Sequence, residues 1–129
     1  MKVVVVSGGF DPIHSGHIAY FKSAKKLGEK LIVALNSDAW LIKKKEKFFM
    51  PFEERKIIVE NLSMVDEVIS FKDDETGSAS QALEKIKELH PNDEIIFCNG
   101  GDRTKENIPE MQVSNISFEF SVGGEDKKN

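Results

Sequence analysis

Apolar positions along the chain alternate between two rhythms. Residues 2–7 (KVVVVS) form a continuous β-branched run, the pattern of a strand buried on both faces. In residues 16–27 (GHIAYFKSAKKL), Ile18, Phe21, Ala24 and Leu27 recur at helical spacing, and Gly28 reads as the stop that ends the helix. Residues 30–35 (KLIVAL) are a second apolar strand, closed by 36–38 (NSD). Pro51 opens a helix, at the position proline prefers, and Phe52, Arg55, Ile58, Val59 and Leu62 share one stripe of it. Residues 65–71 (VDEVISF) are a short strand. Ser78 with Gln81 makes a capping-box pattern for a helix that reaches about His90 and stops at Pro91. Residues 94–98 (EIIFC) are the next strand. Ile116, Phe118, Phe120 and Val122 then alternate with polar positions, as in a strand with one buried face. The stretches 43–47 (KKKEK), 72–79 (KDDETGSA) and 123–129 are polar and read as loops and tail.

Strands that alternate with helices predict an α/β fold with a central parallel sheet of about five strands. In such sheets ligands bind at the carboxyl ends of the strands, near the point where the strand order reverses. The unusual loops here, 7–17 (SGGFDPIHSGH), 36–38 (NSD) and 99–103 (NGGDR), all follow strands. A parallel sheet brings the three to one edge.

Bulk properties narrow the function classes. A length of 129 residues suits one domain with a hydrophobic core of its own, and 40% hydrophobic with 31% charged residues is ordinary for a globular chain. The net charge of −4 argues against broad nucleic-acid binding, which wants a basic face, but leaves a small anionic ligand open. Cys98 is the single cysteine, so no internal disulfide is available, which fits a reducing compartment. The apolar run after Met1 and Lys2 is too short for a signal-peptide core, and no run approaches a membrane span. The expectation is a cytoplasmic protein without membrane or nucleic-acid partners.

The first loop carries the candidate chemistry. Gly8 and Gly9 allow a sharp turn and close approach of backbone to a ligand. The stretch His14-Ser15-Gly16-His17 leads straight into a helix, whose start favours a phosphate. Two imidazoles there add donors suited to a phosphorus centre whose oxygens gain charge. A capping or packing role for the histidines is the alternative, and metal ligation lacks further Cys or acidic partners nearby. Neither GxGxxG nor GxxxxGK[ST] occurs.

The stretch SGGFDPIHSGH, with His14-x-Gly-His17, resembles the signature of the HxGH nucleotidyltransferases, the cytidylyltransferase-like family. The resemblance continues through 24–38 (AKKLGEKLIVALNSD), 51–69 (PFEERKIIVENLSMVDEVI) and 99–103 (NGGDR), and spans about residues 1–103. It implies a Rossmann-like three-layer sandwich, with residues 1–129 as one nucleotidyltransferase domain. The implied reaction passes a nucleotidyl group from CTP or ATP to a phosphorylated acceptor, with release of pyrophosphate and with Mg²⁺ on the triphosphate. His14 and His17 would contact the triphosphate, and Lys44 would reach phosphate oxygens. Gly8, Gly9, Phe10 and Asp11 would shape the nucleotide floor. Gly101 and Asp102 would face ribose, base or metal, and Asp38 is a further candidate of that kind. Arg55 would hold the acceptor phosphate in a bidentate fork; the bland alternative is an exposed helix charge. Trp40 would cover a ligand or serve in packing, and a homodimer is a family habit.

Two subgroups remain open. The blocks LGEKLIVALNSD and VDEV resemble glycerol-3-phosphate cytidylyltransferase and the heptose-phosphate adenylyltransferase domain, and NGGD leans to the latter. FDPIH resembles the pantetheine-phosphate and nicotinate-nucleotide adenylyltransferases. The late Arg-Thr-x-Gly-Ile-Ser-Thr type segment of cytidylyltransferases does not occur in this sequence. The expectation is either a truncated C-terminus or a replaced phosphate-binding tail.

Overall fold

The computed structural model describes residues 1–39, 42, 50–70, 80–98 and 116–119. Within them the order of elements is β1 (Lys2–Gly8), α1 (Ser15–Lys25), β2 (Lys30–Leu35), α2 (Phe52–Glu60), β3 (Glu67–Ser70), α3 (Ser80–Leu89), β4 (Glu94–Cys98) and β5 (Ser117–Glu119). The strands form one five-stranded sheet in the order β3-β2-β1-β4-β5, and every neighbouring pair is parallel.

The valine run explains why β1 lies at the centre. Val3 to Val6 are all fully buried, and successive side chains point to opposite faces of a strand. Val4 and Val6 pack with Tyr20, Phe21 and Ala24 of α1 and Val59 of α2. Val3 and Val5 pack with Ala82, Leu83 and Ile86 of α3. Among the described residues two helices therefore cover one face and one helix the other, which is the expected α/β three-layer sandwich with a Rossmann-like parallel sheet. No helix among the described residues is long and apolar enough to cross a membrane.

Several boundaries depart from the sequence reading, each for a physical reason. Gly28 is not a left-handed helix stop. Helix α1 is capped at Lys26, and a Cβ on Gly28 would lie 2.7 Å from the Lys2 carbonyl oxygen, so close approach to β1 is what requires glycine there. Pro51 is the N-cap of α2 rather than its first helical residue. Strand β3 begins at Glu67, because the Val65 N–H is turned back onto the Leu62 carbonyl. Ser78 and Phe71, and the chain beyond Glu119, lie outside the described residues.

Asp66 also acts as a strand partner. Its carboxylate accepts the Leu31 N–H at 2.8 Å and pairs with Lys25. Desolvation works to raise its pKa, but the Lys25 ammonium, the Leu31 N–H and the charge of Lys30 outweigh it and hold the carboxyl below its ordinary value. A lowered folded pKa contributes stability that is present above the unfolded value of about 3.9 and is lost as the pH falls through the folded one. Asp66→Asn is therefore expected to cost about 0.5–1 kcal/mol at neutral pH, a partly exposed pair being screened. Urea titrations of both proteins should converge as the pH drops below the carboxylate range; a constant gap down to low pH would contradict this role.

Candidate active site

The loop between β1 and α1 sits at the centre of the carboxyl edge. Its strand lies between β2 and β4, and the order of strands reverses between β1 and β4. The Asn36 N–H donates to the Gly8 carbonyl at 3.0 Å, and the Tyr20 hydroxyl donates to the Cys98 carbonyl at 2.7 Å. The first bond ties the chain after β2 to the end of β1, and the second ties the end of β4 to α1, the helix into which the loop leads.

The two histidines build the start of α1. His14 is the N-cap, in extended conformation, and its Nδ1 accepts the Gly16 N–H at 3.1 Å. Three residues on, His17 Nδ1 accepts the His14 N–H at 3.2 Å, completing a reciprocal capping box. Serine or threonine with glutamate or glutamine ordinarily fills these two positions. The rings stack with centroids 3.9 Å apart. His14 is exposed, whereas His17 is only 5% exposed. Because Nδ1 is an acceptor in both rings, each neutral imidazole carries its proton on Nε2. The two rings therefore stand side by side at the start of the helix, with Nε2 the nitrogen of each that the cap does not use. Capping and phosphate contact are compatible here, since they use opposite nitrogens of one ring.

Phe10 forms the floor behind His17. Its φ of 50° is the left-handed region, uncommon for a bulky residue and of the kind found where strain serves a site. Its ring packs edge-on against His17 at 4.9 Å and against Phe21 at 5.0 Å. Gly8 makes room for it: a Cβ there would lie 2.9 Å from the Phe10 ring.

Arg55 departs most from expectation. It is neither an exposed helix charge nor an open fork. The residue is 0% exposed, and its guanidinium donates to the carbonyls of Gly9 (2.9 Å), Asn36 (2.9 Å) and Met50 (3.0 Å) and to Asp38 Oδ1 (2.7 Å). As placed, it does not present a bidentate face to an acceptor phosphate. Asp38 and Asp11 are likewise engaged inside the protein, Asp38 with Arg55 and Asp11 through Oδ1 with the Met50 N–H at 2.5 Å.

The structure thus gathers Gly8, Gly9, Phe10, Asp11, His14, His17, Asp38 and Arg55 around one loop. Lys44, Gly101, Asp102 and Trp40 lie outside the described residues. Tyr20, Asn36 and Met50 belong to the site's frame and were not singled out from the sequence. Tyr20 stands three residues after His17 on the buried stripe of α1, the spacing that marks it. Among the described residues no group of three His, Cys, Asp or Glu is placed to hold a metal ion.

A parallel sheet with a histidine-capped helix at its switch point makes this a doubly wound α/β domain with its histidine loop where such folds place their ligands. Comparison with known proteins narrows it. The family model for cytidylyltransferase-like proteins matches residues 5–122, so the chain belongs to the cytidylyltransferase-like family. It is 38% identical over 112 residues to the bifunctional protein HldE of Enterobacter sp. (strain 638), covering 78% of this chain. HldE proteins from Salmonella are matched at the same identity. The chain spans about a quarter of the length of these relatives, 24%. In fold it resembles a lipopolysaccharide core biosynthesis protein from Thermoplasma volcanium, at TM-score 0.73 and 23% identity, covering 93% of this chain and 95% of that one.

Proposed function

We propose that the chain transfers a nucleotidyl group from ATP or CTP to a phosphorylated sugar or polyol and releases pyrophosphate. The observation that carries this is the stacked histidine pair that caps the start of α1 through Nδ1 and so does not use Nε2 of either ring for the cap. An oxygen of the acceptor phosphate attacks the α-phosphorus of the nucleotide. The bond from that phosphorus to the oxygen bridging to the β-phosphorus breaks, and pyrophosphate leaves with the electron pair. Charge gathers on the phosphoryl oxygens, where preorganised donors are worth most. His14 and His17 supply such donors, and Phe10 holds the His17 ring against rotation. Lys44 would add a cation for phosphate oxygens, and Gly101 and Asp102 would line the ribose and base. Magnesium, when bound with the nucleotide, neutralises triphosphate charge.

A histidine nucleophile is a poor alternative at this loop. Attack needs a nitrogen lone pair, whereas Nδ1 of each ring is occupied by a backbone N–H and Nε2 carries the proton. A single displacement by the acceptor suits the geometry better.

The NGGD stretch, which resembles the heptose-phosphate adenylyltransferase domain, favours ATP with a sugar phosphate over CTP with glycerol-3-phosphate. Product analysis tests this: ATP and CTP with Mg²⁺ are offered together against heptose 1-phosphate, glycerol-3-phosphate, phosphocholine, phosphoethanolamine and phosphopantetheine. One nucleotide and one sugar or polyol phosphate should dominate the product. Exclusive product from phosphopantetheine would overturn the acceptor class. Nucleotide binding without product from any acceptor would make the chain a non-catalytic binding module.

A further inference from the structure

We propose that Arg55 is a positioning residue, a buried clamp that fastens the end of β2 and the entry to α2 onto the floor of the histidine loop. This rests on the reading of that loop as a nucleotidyl-transfer site. Three stretches far apart in sequence meet on one guanidinium. Its NH1 group donates to the carbonyls of Gly9 and Asn36, its NH2 group to Asp38 and its Nε to Met50. Met50 is held at both of its backbone groups, since its N–H donates to Asp11 of the histidine loop. Asn36 is tied a second time, through its N–H to Gly8.

The geometry sets what the clamp controls. Gly9 immediately precedes Phe10, whose left-handed backbone places the ring against His17. Fixing the Gly9 carbonyl therefore fixes the turn that carries Phe10, and Phe10 fixes the imidazole. Arginine is needed because the acceptors surround a planar fork; the ammonium of lysine is a point charge with three donors and cannot meet all four acceptors. Asp38 sets the plane of the fork and lies partly at the surface, its side chain 34% exposed.

The test compares Arg55→Lys, Asp38→Asn and the double variant in the whole chain. Nucleotide affinity, kcat and acceptor KM are measured together with amide hydrogen exchange. A clamp predicts that Arg55→Lys lowers kcat by about tenfold or more while acceptor KM stays within about twofold, and that the double variant is no worse than Arg55→Lys, because contacting residues that act as one unit are not additive. The Met50 and Asn36 amides should exchange about tenfold faster in Arg55→Lys, with those of Ile96 and Phe97 in β4 unchanged, as expected of a local opening. Asp38→Asn, at a partly exposed site, gives the same readings in smaller measure if Arg55→Lys does not fold. A rise in acceptor KM alone, with exchange unchanged, would overturn the clamp and return Arg55 to the acceptor phosphate. Absence of turnover in the wild type would instead count against the proposed reaction, and the exchange pattern and nucleotide affinity would still decide the clamp.

Discussion

Replacing His17 with alanine is expected to slow pyrophosphate release by about 10²-fold or more, the scale seen when one preorganised donor to a developing charge is removed. The same substitution removes one arm of the capping box, which costs on the order of 1 kcal/mol. The two effects are separable. Glutamine at the third helical position is an ordinary capping-box partner, so His17→Gln should keep the His14 N–H satisfied. It lacks the stacked ring and the Nε2–H beside that of His14. His17→Gln is therefore expected to melt close to the wild type and to turn over nearly as poorly as His17→Ala. Thermal melting alongside steady-state kinetics reads both. Turnover that tracks melting temperature across the two variants would reduce His17 to a cap.

Phe21→Ala should produce the largest loss of stability, about 3–5 kcal/mol, as for other fully buried phenylalanines cut to alanine. Phe21 is 0% exposed and lies in the cluster shared by α1, β1, β2 and α2. That loss is a large part of the ~5–15 kcal/mol available to a typical domain, and denaturant titration should place the variant near its unfolding threshold at room temperature. Phe21 also supports the site, through its edge contact with Phe10 and the contact of Phe10 with His17. Phe21→Leu, which removes less volume and leaves a smaller cavity than Phe21→Ala, is expected to stay folded. Its turnover should nevertheless fall by a few fold, because Phe10 loses an aromatic edge. A Phe21→Leu variant with full activity would show that the Phe10 ring needs no support from behind.

The fold was legible because its signals were local and strong. The valine run marked a strand buried on both faces, and Val3 to Val6 are buried on both. The three loops were expected at one edge because each follows a strand, and β1, β2 and β4 do lie side by side in parallel. A capping role for the histidines is the alternative that the sequence offers to phosphate contact, and the cap is there: an imidazole nitrogen does the work that serine, threonine, asparagine or aspartate ordinarily does. Arg55 carried a visible signal that charge obscured. It shares the apolar stripe of α2 with Phe52, Val59 and Leu62, so it had to face the core. Periodicity gave its direction, but the carbonyls of Gly9, Asn36 and Met50 that receive it come from distant turns. Asp66 was similar: it read as one polar position in a strand, whereas its carboxylate takes the Leu31 N–H at the edge of β2. Long-range pairing of a side chain with a backbone group has no period and leaves no pattern in the sequence.

The central claim is that the histidine pair assists one direct transfer between two bound substrates, and pre-steady-state pyrophosphate release tests it most directly. Enzyme, ATP or CTP and Mg²⁺ are mixed first without acceptor and then with a sugar phosphate. The predicted result is no burst from nucleotide alone, followed by release that starts when acceptor is added and is nearly abolished in His17→Ala. A burst of pyrophosphate stoichiometric with enzyme before acceptor is added would reveal a covalent nucleotidyl-enzyme and contradict the account.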